Sequence, residues 1–301
     1  MRETLEIAKL KGELFISKIK IFMFIILLVF EIGVISFFLV KNKIIEVAPA
    51  GPKIAVINFN KEVTDSYVNK IMRDIDDALN TKEYKELLFI MNSPGGSPTA
   101  SEELSEYLKE INKKTKVTMY IQSIAASGGY YIASSIKPLI SNKNAIVGSI
   151  GVIMPHFNFG PLANKLGIEE DDLSAGKYKK PISMLSKVSD ENKEYLTKQV
   201  LSPMYENFLE SVSKNRGISL DVLRPLAEGK IYMGNDSEIK GILIDKISTL
   251  YFVKKDIKSR YKNIKFYNIL KKDPTGFFGA KNKLDLNLNI DGLLNNSGML
   301  K

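Results

Sequence analysis

The stretch ELLFIMNSPGGSPTASEELSEYLKEINKKTKVTMYIQSIAASGGYYIA, residues 86–133, decides the fold class. ELLFIMN (86–92) reads as one strand and KVTMYIQ (116–122) as another. Between them SPTASEELSEYLKEINKK (97–114) reads as a helix. Ser97 can cap it, Pro98 suits its first turn, and acidic residues follow early. A short helix opens at about Ser127, with YYIASS apolar on one face. Outward from this core, KIAVINFN (53–60) is a β-branched strand. SYVNKIMRDIDDALN (66–80) places Val68, Ile71, Met72, Ile75 and Leu79 at helical spacing. Strand and helix alternate, so the expectation is an α/β domain with largely parallel strands. Further on, 186–217 reads as mostly helical, with Leu196, Val200, Met204, Phe208 and Val212 recurring at three- and four-residue steps. LDVLRPLAEGK (220–230) reads as a short helix and turn.

The ends of the chain are different. IFMFIILLVFEIGVISFFLV (21–40) is an apolar run interrupted only by Glu31, long enough to cross a bilayer as a helix. It is long for a signal peptide, and no small-x-small cleavage pattern follows closely. The expected organisation is a cytoplasmic segment 1–20, a transmembrane helix 21–41, a linker 42–52, a catalytic domain 53–272 and a poorly ordered tail 273–301. Arg2, Lys9, Lys11, Lys18 and Lys20 precede the span, which favours a cytoplasmic N-terminus and a domain outside the cytoplasm.

Composition limits the chemistry. Among 301 residues there is no cysteine and one histidine, His156. Disulfides, thiolate sites and multi-histidine metal centres are excluded, and neither a metal nor an organic cofactor is implied. The formal charge of +9 is scattered along the chain, and no nucleic-acid motif accompanies it.

Two glycine-rich strand-to-helix junctions stand out. Asn92-Ser93-Pro94-Gly95-Gly96 follows the second strand, and its N–H groups lie at a helix start, where a developing oxyanion is stabilised. Ser123–Tyr131 follows the third strand and has the logic of a nucleophile elbow, with Ser127 on a tight turn and the Gly128 N–H beside it. Ser127 as a plain helix cap is the commoner situation; two such junctions on consecutive strands favour a nucleophile. A serine needs a base. His156 has no obvious orienting carboxylate. The alternative is a lysine, and Ser174-Ala175-Gly176-Lys177-Tyr178-Lys179-Lys180 offers three between which residue chemistry does not choose.

Five blocks in order, IMNSPGGSPTASEE (90–103), AASGGYYIA (125–133), VGSIGVI (147–153), SAGKYK (174–179) and LAEGKIYMGNDSEIKGILID (226–245), resemble the bacterial signal peptide peptidase A family, in its short single-repeat form. The resemblance covers roughly residues 53–260. It implies a ClpP/crotonase-like fold of repeated β-β-α units. It also implies a serine endopeptidase with Ser127 as nucleophile, Lys179 as general base and Ser149 holding that lysine. Gly96 and Gly128 would form the oxyanion hole. Peptide substrates would be apolar remnants of signal peptides. The short members look like ring-like homo-oligomers, so Ser127 and Lys179 can come from different subunits. Lys180 stands where the family usually has Asp, and Lys230 where it has Arg. Competing readings are a membrane protease for one specific partner protein, a crotonase-like acyl-CoA enzyme and an inactive oligomeric scaffold.

Overall fold

A computed structural model describes residues 2–41, 52–81, 83–261 and 263–271. The linker through residue 51 and the tail from residue 273 lie outside the described residues. The chain divides into two units, up to residue 51 and from residue 52 onward. Among its described residues the first is one continuous helix, α1 (Arg2–Lys41), about 60 Å long at 1.5 Å per residue. Within it Leu14–Phe38 is long and apolar enough to cross a membrane, by length and composition, with its side chains exposed.

The second unit is built on β1 (Lys53–Phe59), α2 (Asp65–Asn80), β2 (Tyr84–Ser93), α3 (Pro98–Lys114), β3 (Lys116–Ala126) and α4 (Gly128–Ser134). Short elements follow: β4 (Leu139–Ser141), β5 (Ile146–Gly148), α5 (Gly160–Lys165), α6 (Asp190–Leu196), α7 (Ser202–Arg216), α8 (Leu220–Leu223) and β6 (Ile231–Met233). The described chain closes with β7 (Lys246–Ile247), α9 (Leu250–Arg260) and β8 (Lys265–Asn268). The strands form one sheet in the order β6-β5-β3-β2-β1-β8, with β4 pairing β3 and β7. Every pair is parallel except β5 with β6. The Clp-protease-like α/β fold follows, as the resemblance implied.

Central parallel strands are covered on both faces, which is why they read as unbroken apolar runs rather than alternating ones. The larger core lies under α2, α3, α4 and α7 and buries Ile71, Leu104, Tyr130 and Leu209. The opposite face of the sheet has a smaller core, where α9 inserts Val253 and Ile257 against Ile54, Leu88 and Tyr120. Glu86, fully buried, takes Arg260 Nη2 at 2.8 and 3.1 Å and the Tyr261 hydroxyl at 3.3 Å, so its charge is paired where it would otherwise be costly. Asp245, in the last motif block, lies 2.7 Å from buried Arg216 and accepts the Leu139 N–H at 2.6 Å, tying β4 to the end of α7.

Several elements depart from the sequence expectation. β3 runs to Ala126 rather than residue 122, because its register against β2 shifts between Met91 and Ser93 and absorbs extra residues just before Ser127. The stretch 186–217 is mostly helical as expected, as α6 and α7, but a π-helical turn at Thr197–Leu201 joins them. Ser97 caps α3 as expected, accepting the Ala100 N–H at 3.3 Å, but its first turn holds no acidic residue.

Candidate active site

Ser127 follows β3 and precedes α4 with φ 50° and ψ −125°, a conformation that side-chain-bearing residues rarely adopt. Its side chain makes no capping hydrogen bond to α4. The hydroxyl is therefore not consumed by the commoner role of a helix-start serine. The strain is held by the neighbours: the Ser127 N–H donates to Gly148 O at 2.9 Å, and the Tyr130 and Tyr131 N–H groups return to Ser127 O at 2.9 Å. Strain of this kind costs about 1–3 kcal/mol and persists where the surroundings over-determine it.

The glycines explain how the two junctions fuse. A β-carbon on Gly95 (φ 110°) would sit 2.8 Å from Ser127 Cβ and 2.9 Å from Gly128 N. One on Gly128 would sit 2.3 Å from Ser101 Oγ and 3.3 Å from Gly96 N. At Gly95 the close approach of the two loops requires glycine, and at Gly128 the approach of α3 through Ser101 does. Val63 clamps the first loop from the other side: its N–H donates to Gly95 O and its carbonyl accepts the Ser97 N–H, both at 2.8 Å. The Gly96 and Gly128 N–H groups are left out of these turn and cap bonds and lie side by side next to Ser127.

Ser149 is placed by the sheet. β3 pairs β5 with Ala126 opposite Gly148, so Ser127 and Ser149 each stand one residue beyond the C-terminal ends of adjacent parallel strands. Ser149 also has positive φ, 51°, and its N–H donates to Lys230 O at 2.6 Å. Crevices beyond the carboxyl ends of parallel strands are where α/β sheets bind ligands.

Ser127 lies at the junction of two cavities. One, of about 360 Å³, is mostly apolar, with Tyr131, Val152, Ile153, Met204 and Phe208 in its wall. The other, open and about 990 Å³, reaches Ser149, Thr197, Leu201, Tyr205, Glu62 and Glu228. Gly96 and Ser127 line both. The π turn is what brings Thr197 and Leu201 to this wall, a placement that helical periodicity does not disclose. Glu228 is held there at φ 59°, its N–H donating to the Tyr205 hydroxyl at 3.1 Å. Sequence reasoning missed this wall. Its signals were Val152 and Ile153 at the end of the VGSIGVI block (147–153), and Met204 and Phe208, whose spacing marks only a buried helix face.

Lys179 lines neither cavity. It stands on the exposed loop between α5 and α6, its N–H donating to Gly176 O at 3.1 Å. Its neighbours are paired. Lys177 meets Glu191, which holds its ammonium above the usual lysine range, and Lys180 meets Asp172 and Glu170 with the same effect. Tyr178 stacks on Tyr195 at 4.1 Å. Among the described residues Lys179 has no ion pair. His156 also lies outside both cavity walls, its Nε2 3.3 Å from Ser186 O. The structure thus brings Ser127, Ser149, Gly96 and Gly128 together within one chain and leaves Lys179 outside the group.

The profile of peptidase family S49 matches residues 109–264, and that of Clp protease matches residues 45–146. The chain belongs to peptidase family S49. Its relatives include "Putative protease MJ0651" of Methanocaldococcus jannaschii, 37% identical over 58% of this chain and 56% of the relative. "Putative signal peptide peptidase SppA" of Enterococcus faecium is 33% identical over 65% of this chain and 57% of the relative. "Protease 4" of Haemophilus influenzae is 31% identical over 65% of this chain and 33% of the relative. The matched stretch thus spans little more than half of the first two and a third of the last. Membership of S49 supports a serine-type peptidase, and the elbow at Ser127 lies inside the S49 match.

Proposed function

We propose that this chain is a membrane-anchored serine endopeptidase that works through a Ser127–Lys179 dyad. The observation that carries the reading is Ser127 itself: strained, uncapped and flanked by the Gly96 and Gly128 N–H groups at the mouth of an apolar cavity. The neutral Lys179 amine takes the Ser127 proton as Oγ bonds to the substrate carbonyl carbon. The two N–H groups stabilise the oxyanion, and collapse of the intermediate sends the proton to the leaving amine. Water, deprotonated by the same amine, then attacks the acyl-enzyme, releasing the acid product and restoring Ser127. Ser149 orients the lysine.

A lysine acts as a base only where burial or nearby positive charge lowers its pKa. An exposed Lys179 gains such burial on contact with a second subunit, so the reading includes a ring-like homo-oligomer in which Lys179 serves a neighbour's Ser127. The exposed apolar side chains of the same segment support this: Ile153, Phe157, Leu162, Leu166 and Leu173 are all more than half exposed. The apolar cavity suits an apolar substrate side chain, and α1 would hold the enzyme where remnants of signal peptides are released. The N-terminus is then cytoplasmic and the catalytic unit extracytoplasmic.

The test is cleavage of a fluorogenic apolar peptide by the full chain in detergent, with Ser127→Ala, Lys179→Ala and an equal mixture of the two. Both variants should be dead, and the mixture should regain activity after subunit exchange, because some sites then combine an intact serine with an intact lysine. A mixture that stays dead places both groups in one subunit. An active Lys179→Ala moves the base to Lys177, Lys180 or His156.

A further inference from the structure

The face of the sheet opposite Ser127 carries a surface that peptide hydrolysis does not use. α9 spends Val253 and Ile257 on the smaller core. Its outward side shows Tyr251 and Phe252, 70% and 57% exposed, with their rings edge to face at 5.2 Å. Lys255 and Lys258 are exposed on the same helix, and Lys246 is exposed on β7. Among the described residues none of these three lysines is in an ion pair. Asp256, the carboxylate of the cluster, is taken by Arg260. Between β7 and α9 is an open cavity of about 350 Å³ lined by Lys246, Ser248, Phe252, Lys255, Asp256 and Ser259.

Exposed lysines alone are ordinary solvated surface. Here two large aromatic side chains sit exposed beside unpaired ammonium groups and a hollow. A tyrosine ring, apolar with one wet end, settles at the level of lipid headgroups, and a phenylalanine ring beside it enters the acyl boundary. Lysines near a bilayer are drawn to anionic lipid. We propose that the β7–α9 face docks on anionic phospholipid, with a headgroup phosphate between Lys246 and Lys255 and Tyr251 and Phe252 at the interface. The inference rests on the reading of α1 as a membrane anchor in one respect: tethering raises the local concentration of lipid, so a weak patch suffices. Each lysine is expected to contribute roughly a fivefold preference for the anionic surface, about a hundredfold for three.

The chain has no cysteine, so Thr249→Cys gives one labelling site beside the patch. The full chain, labelled there with a fluorophore, is reconstituted into nanodiscs carrying a lipid-attached quencher. Discs are either phosphatidylcholine or an equal mixture with phosphatidylglycerol. Strong quenching in the mixed discs, weak quenching in phosphatidylcholine, and loss of the difference in high salt are expected. Lys246→Glu with Lys255→Glu should abolish the difference while leaving peptide cleavage intact, and the milder Lys→Gln pair should reduce it. Equal quenching in both discs, or a difference unmoved by the charge reversals, overturns the proposal. If the chain fails to enter either disc, the anchor reading fails instead. The labelled chain is then mixed with phosphatidylglycerol vesicles, where saturable quenching still upholds the patch and none overturns it.

Discussion

Gly95 and Gly176 have nearly the same φ, 110° and 100°, in opposite surroundings. A β-carbon on Gly95 would strike Ser127; one on Gly176 would find nothing within 4 Å. The first glycine belongs to a junction where two loops are pressed together and Ser127 is held in strain by buried neighbours. The second belongs to the loop of Lys179, which is exposed and held chiefly by ion pairs and one stacked tyrosine pair. On the proposed dyad, the nucleophile half would be complete in a single chain and the base half would not. Packing makes a strained residue persist; surface ion pairs hold a loop only loosely.

Changes at the two halves sharpen that contrast. Ser127→Ala should lower kcat by about 10⁴-fold or more with melting temperature little changed, since it removes the proposed nucleophile and only one oxygen atom. Lys179→Ala should cost about 10³-fold, against less than about fivefold for Lys177→Ala or Lys180→Ala, whose ammonium groups are engaged by carboxylates. Equal losses from all three would show that the loop matters as a body rather than through one amine. Gly95→Ala should destabilise the fold by about 2–4 kcal/mol in urea unfolding and cut kcat by about 10²-fold, because both steric overlap and positive φ oppose it. Gly176→Ala, opposed by positive φ alone with no steric overlap, should cost about 1–2 kcal/mol of stability and change kcat by less than about threefold. A Gly176 variant as damaged as the Gly95 one would mean that a partner packs on the lysine loop, a direct sign of the proposed subunit contact.

The smallest effect should come from acid. Lys180, and then Ser183, hold the Glu170 carboxyl below its ordinary range. A depressed carboxylate contributes its stabilisation above the unfolded value, about 4.3, and loses it as pH falls through the folded value. Hydrogen exchange around residues 170–183, corrected for intrinsic rates, should therefore accelerate slightly below about pH 4 while β1–β3 stay protected. Loss of protection in both regions at once would merge them into one cooperative unit.

Much of this was readable in the amino-acid order because the forces are local. Apolar runs over 54–57 and 87–91 mark strands covered on both faces, and three-to-four-residue spacing marks the helices that cover them. Gly95–Gly96 and Gly128–Gly129 beside Ser127 mark two tight strand-to-helix turns, and those turns are where the structure puts them. The short strands β4, β5, β6 and β7, of two or three residues, have no period to read. The π turn at Thr197–Leu201 is a slip in helical phase that side-chain spacing hides, and with it went Tyr205 and the cavity wall.

By itself the sequence determined an α/β chain with parallel strands, a twenty-residue apolar run near its start, a serine at an elbow, and three lysines between which residue chemistry could not choose. Only the tertiary structure decided that Ser127 is strained and uncapped, that Ser149 stands beside it across the β3–β5 register, and that among the described residues Lys177 and Lys180 are paired while Lys179 is not. The division has a physical reason. Apolar periodicity and turn chemistry act between residues close in the chain, whereas strand register, loop-to-loop contact and ion pairing depend on residues tens of positions apart that meet only once the sheet has formed.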